Sequence, residues 1–293
     1  MSKMDFSPLI PYLDKIDGVA WDCDGTLVDN ETRALKVIQQ EFERHLAKAT
    51  QFKVTQIECC LPYVGTALPN IRQIISQKYN TKIPQSVEDS ILRRRSNSPE
   101  PDEKVIVVPA MAALVKFFGN NGVPQMVVTS SERARATRYI EAAKLDRHFD
   151  TSQQWLISGH DDFEQPRHKP HPDAHNRAKE MFAANGRRML AFEDSIAGVE
   201  AAREAGIPVI GQVLASHVTE DRKDTLAMEM LRFGAVAVIY RPEDLVPALV
   251  EIVQAMPERP SRLGHSKPER PSANHARRLR VVGGADYEPG SSG

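Results

Sequence analysis

Cysteine is scarce in this chain, with Cys23, Cys59 and Cys60 the only three among 293 residues. An odd count that includes an adjacent pair makes a poor disulfide framework, so free thiols in a reducing compartment are expected. Long apolar runs are missing as well. The stretch MSKMDFSPLIPYLDKID has no sustained apolar segment of the secretory kind, and no later run approaches the roughly 18 residues of a membrane span. A cytoplasmic protein without a membrane partner is the expectation. Nor does one sign of charge prevail: 38 Lys and Arg stand against 39 Asp and Glu, a net charge of -1. A chain so balanced has no global field with which to collect nucleic acid, and any anion site must be local. No internal repeat is visible, and the oligomeric state is unknown from sequence.

What is present is ordinary for a globular chain: 41% hydrophobic and 26% charged residues. At roughly 150 residues per domain, the length admits one large core plus a smaller insert. Short apolar runs, each followed by helical spacing, recur at Val19–Trp21, Gln125–Val128, Met189–Phe192, Pro208–Ile210 and Ala235–Ile239, with helices expected at about 132–144, 173–185, 196–205 and 242–255. Such alternation predicts an α/β fold, a doubly wound parallel sheet of Rossmann-like type. Between the first two strands the pattern is helical. Helices are expected from Glu31 towards Ala49, with Leu35, Ile38 and Phe42 on one face, from Leu68 to Tyr79, and near Val87–Arg95. Pro99-Glu100-Pro101-Asp102 then reads as a return linker. The expected domains are a catalytic core at 1–30 and 98–257, an all-helical cap at 31–97, and a disordered tail at 258–293, rich in Pro, Arg, Ser and Gly.

The strongest motif is Asp22-Cys23-Asp24-Gly25-Thr26-Leu27-Val28-Asp29, directly after the Val19–Trp21 strand. In an open α/β sheet, ligands bind beyond the carboxyl ends of the strands, so this strand delivers two carboxylates to the crevice. Alternation sends Asp22 and Asp24 to the same side and turns the Cys23 side chain away, into packing. Two neighbouring carboxylates repel, and a divalent cation offsets that repulsion while keeping them ionised. Gly25 permits a sharp turn close to a ligand, and Thr26 can fix that turn by a local hydrogen bond.

At this octapeptide the sequence resembles the haloacid dehalogenase superfamily, whose phosphatases carry D-x-D-G-T at the end of the first strand. The resemblance spans essentially residues 16–255 and includes three further motifs in order. It implies that Asp22 attacks phosphorus to form an aspartyl-phosphate, and that Asp24 protonates the leaving oxygen and then activates water. Met126-Val127-Val128-Thr129-Ser130-Ser131 matches the strand-end hydroxyl motif, with Thr129 as the hydroxyl and Ser130 as a neighbouring donor to a phosphoryl oxygen. His168-Lys169-Pro170-His171-Pro172-Asp173 resembles the segment that carries a lysine, and Lys169 would stabilise the charged transition state. His168 stands where relatives usually have Gly, which leaves the local backbone open. Glu193-Asp194-Ser195 with Gly198 is similar to the acidic motif that binds magnesium: Asp194 as a direct ligand, Glu193 either direct or through a water. Asp22 and the backbone carbonyl of Asp24 complete the implied Mg2+ ligands. Cys23 is placed among the phosphate-binding positions with Ser130, and Arg72 is placed where related caps contact substrate.

The implied reaction is hydrolysis of a small phosphorylated metabolite, a sugar phosphate or similar organophosphate, beneath a cap of the phosphoglycolate phosphatase and β-phosphoglucomutase kind. A phosphomutase is the alternative, although Asn30-Glu31-Thr32-Arg33 lacks the histidine of mutase relatives. A dehalogenase would lack the second aspartate, a phosphonatase needs a cap lysine that cannot be pointed to, and a non-catalytic phospho-ligand sensor would not need the full set. Cys59-Cys60 lacks zinc-site spacing. His160, His168, His171 and His175 are expected at the surface or behind the catalytic groups, and Arg93–Arg95 mostly in solvent.

Overall fold

The structure is a computed structural model, and it describes residues 4–49, 68–97, 105–150, 154–259 and 281–282. The first strand, β1 (Gly18–Trp21), leads into three helices, α1 (Glu31–Ala49), α2 (Leu68–Lys78) and α3 (Gln85–Asn97). The chain then continues through α4 (Pro109–Asn120), β2 (Gln125–Thr129), α5 (Arg133–Ala142), β3 (Leu156–Ser158), α6 (Asp173–Met181) and β4 (Met189–Glu193). It ends its regular part with α7 (Ile196–Glu204), β5 (Val209–Gln212), α8 (Glu220–Phe233), β6 (Ala237–Ile239), α9 (Leu245–Gln254) and β7 (Val281–Val282). All strand pairs are parallel, in the order β3-β2-β1-β4-β5-β6-β7. Strand order reverses beside β1, which makes the carboxyl ends of β1 and β4 the walls of a ligand crevice. The expected doubly wound sheet is therefore what the chain forms.

Alternation along the strands builds two cores. Val19 and Trp21 of β1, Val127 of β2, and Leu190 and Phe192 of β4 face one layer with Met111, Leu114, Ile140 and Leu249. Ala20, Met126, Val128, Met189 and Ala191 face the other, against Ala178, Val199, Ala202 and Met230. Trp21 is fully buried, stacks on Phe192 at 4.4 Å between ring centroids and donates its indole N–H to Gln125 at 3.0 Å. A large ring so anchored holds β1, β2 and β4 in register directly beneath Asp22.

The helices between β1 and α4 have a core of their own, in which Ile38, Phe42 and Leu46 meet Ile71, Ile75, Ile83, Val87 and Ile91. Ile38 and Phe42 thus lie on the face that the spacing predicted; the side chain of Leu35, the pair Cys59-Cys60, and the Pro99–Asp102 linker lie outside the described residues. The chain leaving and re-entering the sheet is pinned at one place. Asp29 N donates to Ile106 O at 2.7 Å, and Val28 and Val107 form an antiparallel bridge.

Of the stretch from 258 onward, expected to be without structure, the described residues include Val281–Val282, which pairs with Val238 and Ile239 as an edge strand. Two adjacent β-branched residues suit a pleated edge even inside a polar segment. Arg259 also meets Asp17 at 2.8 Å. Among the described residues no helix is long and apolar enough to cross a membrane.

Candidate active site

The carboxyl ends of β1 and β4 bring the acids together. Carboxylate oxygens of Asp22, Glu193 and Asp194 lie within 4.8 Å of one another, and all three residues are buried. Lys169, from the loop before α6, reaches between them: its ammonium is 2.6 Å from Asp22 Oδ1 and 2.7 Å from Glu193 Oε1. Burial pushes the Asp22 carboxyl up to about 7 against the downward pull of Lys169. Glu193 is likewise raised by burial, and Lys169 opposes it. For Lys169 burial acts downward, but the two carboxylates prevail and hold its ammonium well above the ordinary lysine range.

A single cation among three buried acids leaves an excess of negative charge, and Glu193 Oε2 has no hydrogen-bond partner among the described residues. Hard, oxygen-only donors of this kind fit magnesium. Helix α7 approaches this oxygen closely, because a Cβ at Gly198 would fall 1.8 Å from Glu193 Oε2. Ser195 caps the same helix, accepting from Gly198 N at 3.1 Å.

Asp24 sits in the same crevice. Its carboxylate accepts from Asn30 Nδ2 at 2.7 Å, from Arg135 at 2.8 Å, and from the Ser131 hydroxyl. Gly25 adopts φ +85°, and a Cβ there would land 1.9 Å from Asp194 Oδ2, so both conformation and space demand glycine. Thr26 was expected to fix its own turn; its hydroxyl instead donates to Asp194 Oδ1 at 3.3 Å, tying the first motif to the last.

The other expected positions divide. Thr129 is buried at the end of β2, and its hydroxyl accepts from Ser131 N at 3.0 Å. The Ser130 hydroxyl turns to the lysine segment, accepting from Lys169 N at 3.0 Å, while Ser131 is the hydroxyl that faces Asp24. The Cys23 side chain packs in the core with Trp21 and Leu27, and burial pushes its thiol far up, so only its backbone could meet a substrate. Arg72 does not join this group: its guanidinium pairs with the buried Glu88 and donates to Ile83 O at 3.1 Å inside the helical insert. Arg94 similarly pairs with Glu41 at 2.6 Å, and Arg93 is exposed. His168 needs no glycine-like backbone; its ring meets Ser130 O at 3.0 Å.

Four contributors escaped the sequence reading in whole or in part. Arg135 and Asn30 hold Asp24, and His217, 4% exposed, places Nε2 3.3 Å from Asp194 Oδ2. His175 was expected behind the catalytic groups, and it is buried with Nε2 3.4 Å from Glu193 Oε1. Burial and the Lys169 charge push His175 down to about 3, and burial pushes His217 down to about 4 despite Asp29.

Residues 16–206 match the family described as haloacid dehalogenase-like hydrolase. The chain belongs to that family, and it is an enzyme. A phosphoglycolate phosphatase of Shigella boydii is 25% identical over 249 residues, covering 80% of this chain and 92% of that protein. The phosphorylated carbohydrates phosphatase of Thermotoga maritima is 23% identical over 244 residues, covering 81% and 100%. A HAD family hydrolase of Deinococcus radiodurans shares the fold, with a TM-score of 0.58 at 24% identity over 82% of this chain and 97% of that one.

Proposed function

We propose that this enzyme is a magnesium-dependent phosphomonoester hydrolase that acts on a small phosphorylated metabolite through an aspartyl-phosphate at Asp22. The observation that carries this reading is the buried Lys169 ammonium held between Asp22 and Glu193 at the mouth of the crevice, with Asp194 beside them. The phosphatase names of the relatives above point the same way, and a sugar phosphate or similar organophosphate is the substrate class they favour. Asp22, Asp194 and Glu193, with the Asp24 carbonyl, would hold the ion. When bound, magnesium supplies positive charge to these carboxylates and to a phosphoryl oxygen.

The chain's own groups account for the steps. Asp22 attacks phosphorus in line, the bond to the leaving oxygen breaks, and Asp24 gives that oxygen its proton. Asp24 then takes a proton from water, which attacks phosphorus and returns Asp22 to its free carboxylate. Splitting one displacement into two lowers each barrier. Lys169 sets the direction of one Asp22 oxygen and offsets charge that grows on the phosphoryl group. Asn30, Ser131 and Arg135 aim the Asp24 carboxylate. Thr129 and the backbone N–H groups beyond it line the phosphate end of the crevice, with the Cys23 N–H as a further donor. The helical insert acts as a cap that excludes bulk water, hinged where Asp29 and Ile106 are joined. No histidine stands within Asn30–Arg33 to favour a mutase.

The test is phosphate release from a panel of phosphorylated metabolites, with magnesium and with chelator, set against an isomerisation assay. Turnover that requires both magnesium and Asp22 is expected. Hydrolysis surviving in Asp22→Asn, or absent from every ester for the wild type, contradicts the reading.

A further inference from the structure

The loop after β5 is built around the first motif, although about 190 positions separate them. Gln212, fully buried, donates to Gly25 O at 2.8 Å and accepts from Leu214 N at 2.7 Å. Ser216 donates through its backbone N–H to both oxygens of Asp29, at 3.1 and 3.0 Å, and through its hydroxyl at 2.8 Å. Directly after the second anchor comes His217. Its ring is buried, and neither ring nitrogen has a hydrogen-bond partner among the described residues. A buried polar group left in that state is costly, so its environment must offer something it can bond once the site is assembled.

That something is Asp194. Nε2 stands 3.3 Å from Oδ2, close enough for donation but not aligned for it in this state. The opposite oxygen, Oδ1, takes the Thr26 hydroxyl at 3.3 Å. The space is closed on the remaining side by Gly25, where a Cβ would meet both Asp194 Oδ2, at 1.9 Å, and His217 Cε1, at 3.1 Å. The carboxylate is therefore flanked by a hydroxyl and an imidazole, each fixed by its own backbone. Outer partners of this sort orient a metal-binding group and are often as consequential as the ligand itself.

We propose that His217 is a positioning residue for Asp194: its Nε2–H aligns with Oδ2 when a divalent cation draws the carboxylate, and so sets the affinity of the site for that cation. This rests on Asp194 as a metal ligand. It extends the site to a residue in none of the four motifs, and it connects the ion to the Asp29 hinge through the neighbouring Ser216.

Calorimetric titration of Mg2+ into full-length protein freed of divalent ions tests this without any substrate. His217→Leu is expected to weaken Mg2+ binding about 10- to 100-fold, the usual loss on removing such a partner. His217→Gln, which keeps an N–H donor, is expected to recover most of it, with unfolding midpoints in chelator matching the wild type for both. Equal Mg2+ affinity in His217→Leu and wild type overturns the proposal. Should His217→Leu fail to fold, the ring 15N resonances of wild-type His217 decide: a protonated Nε2 that shifts on adding Mg2+ supports it, and an unprotonated or unmoved Nε2 overturns it. Absence of Mg2+ uptake by the wild type would sink the metal reading itself, and this inference with it, an outcome distinct from loss in the variant alone.

Discussion

Two buried cations lie at the two ends of β4, and their surroundings differ. Arg188 precedes the strand at 1% exposure, and all three of its guanidinium nitrogens donate: to Asp17 at 2.9 and 3.2 Å, to Asp14 O at 2.8 Å and to Pro257 O at 2.6 Å. It staples the segment before β1 to the residues just after α9. Lys169 meets the other end of β4 at Glu193, but there one ammonium faces an excess of carboxylates. A buried charge matched by its neighbours holds shape; one left in imbalance is where a ligand and chemistry are to be sought. The same strand thus carries a structural pole and a reactive pole.

Four substitutions can break that contrast. Asp22→Asn has the largest expected effect, a loss of turnover on the order of 10^4- to 10^6-fold for removal of a nucleophile, read by steady-state phosphate release. It should also leave the fold intact or firmer in chelator, since one member of a repelling set is neutralised; a protein that unfolds instead would place Asp22 at the structural pole. Arg188→Leu should do the converse, costing about 1–3 kcal/mol in denaturant unfolding, because the part-exposed Asp17 and the carbonyls of Asp14 and Pro257 lose their buried donor. The folded fraction is expected to keep the wild-type kcat, and a changed kcat would mean the poles are not separable.

Lys169→Met comes next, with kcat lower by about 10^2- to 10^3-fold, the range seen on removing one stabilising donor from a charged transition state. Single-turnover kinetics at saturating substrate would check it, and an unchanged rate would demote the lysine to a structural ion. The last effect is in the pH dependence of stability. His175 is held down to about 3 in the fold, whereas the unfolded chain takes up its proton from about 6.5 downward. Its contribution is therefore intact above pH 6.5 and lost as pH falls towards 3, by up to about 1.4 kcal/mol for each pH unit. Urea midpoints measured from pH 7 to pH 4 should fall less steeply for His175→Leu than for the wild type, and identical slopes would refute the assignment.

Much of the frame was legible because the sheet is parallel and buried on both faces, so its strands spell as short apolar runs that end in polar motifs. Asp22, Glu193, Asp194 and Lys169 were legible for the same reason: each stands at a strand end or just before a helix. The three-residue β3 was too short to announce itself, and α4 is apolar on most of its surface and so lacks a one-sided stripe. The edge pair Val281–Val282 was hidden in a polar stretch. Arg72 and Arg135 show the limit for side chains. Both are arginines on helices, yet one pairs with Glu88 inside the insert and the other with Asp24 in the crevice. His217 carried no local signal, since its meaning arises only from packing against Asp194 across the sheet.

The central claim is that Asp22 carries the phosphoryl group between the two displacements. Rapid acid quench of the enzyme during turnover of any ester it hydrolyses, followed by peptide mass spectrometry, tests that most directly. A phosphoryl group on the peptide containing Asp22, at the aspartate itself and absent without magnesium, is the predicted result. A phosphoryl group on another residue, or its absence throughout a pre-steady-state burst, would contradict the account.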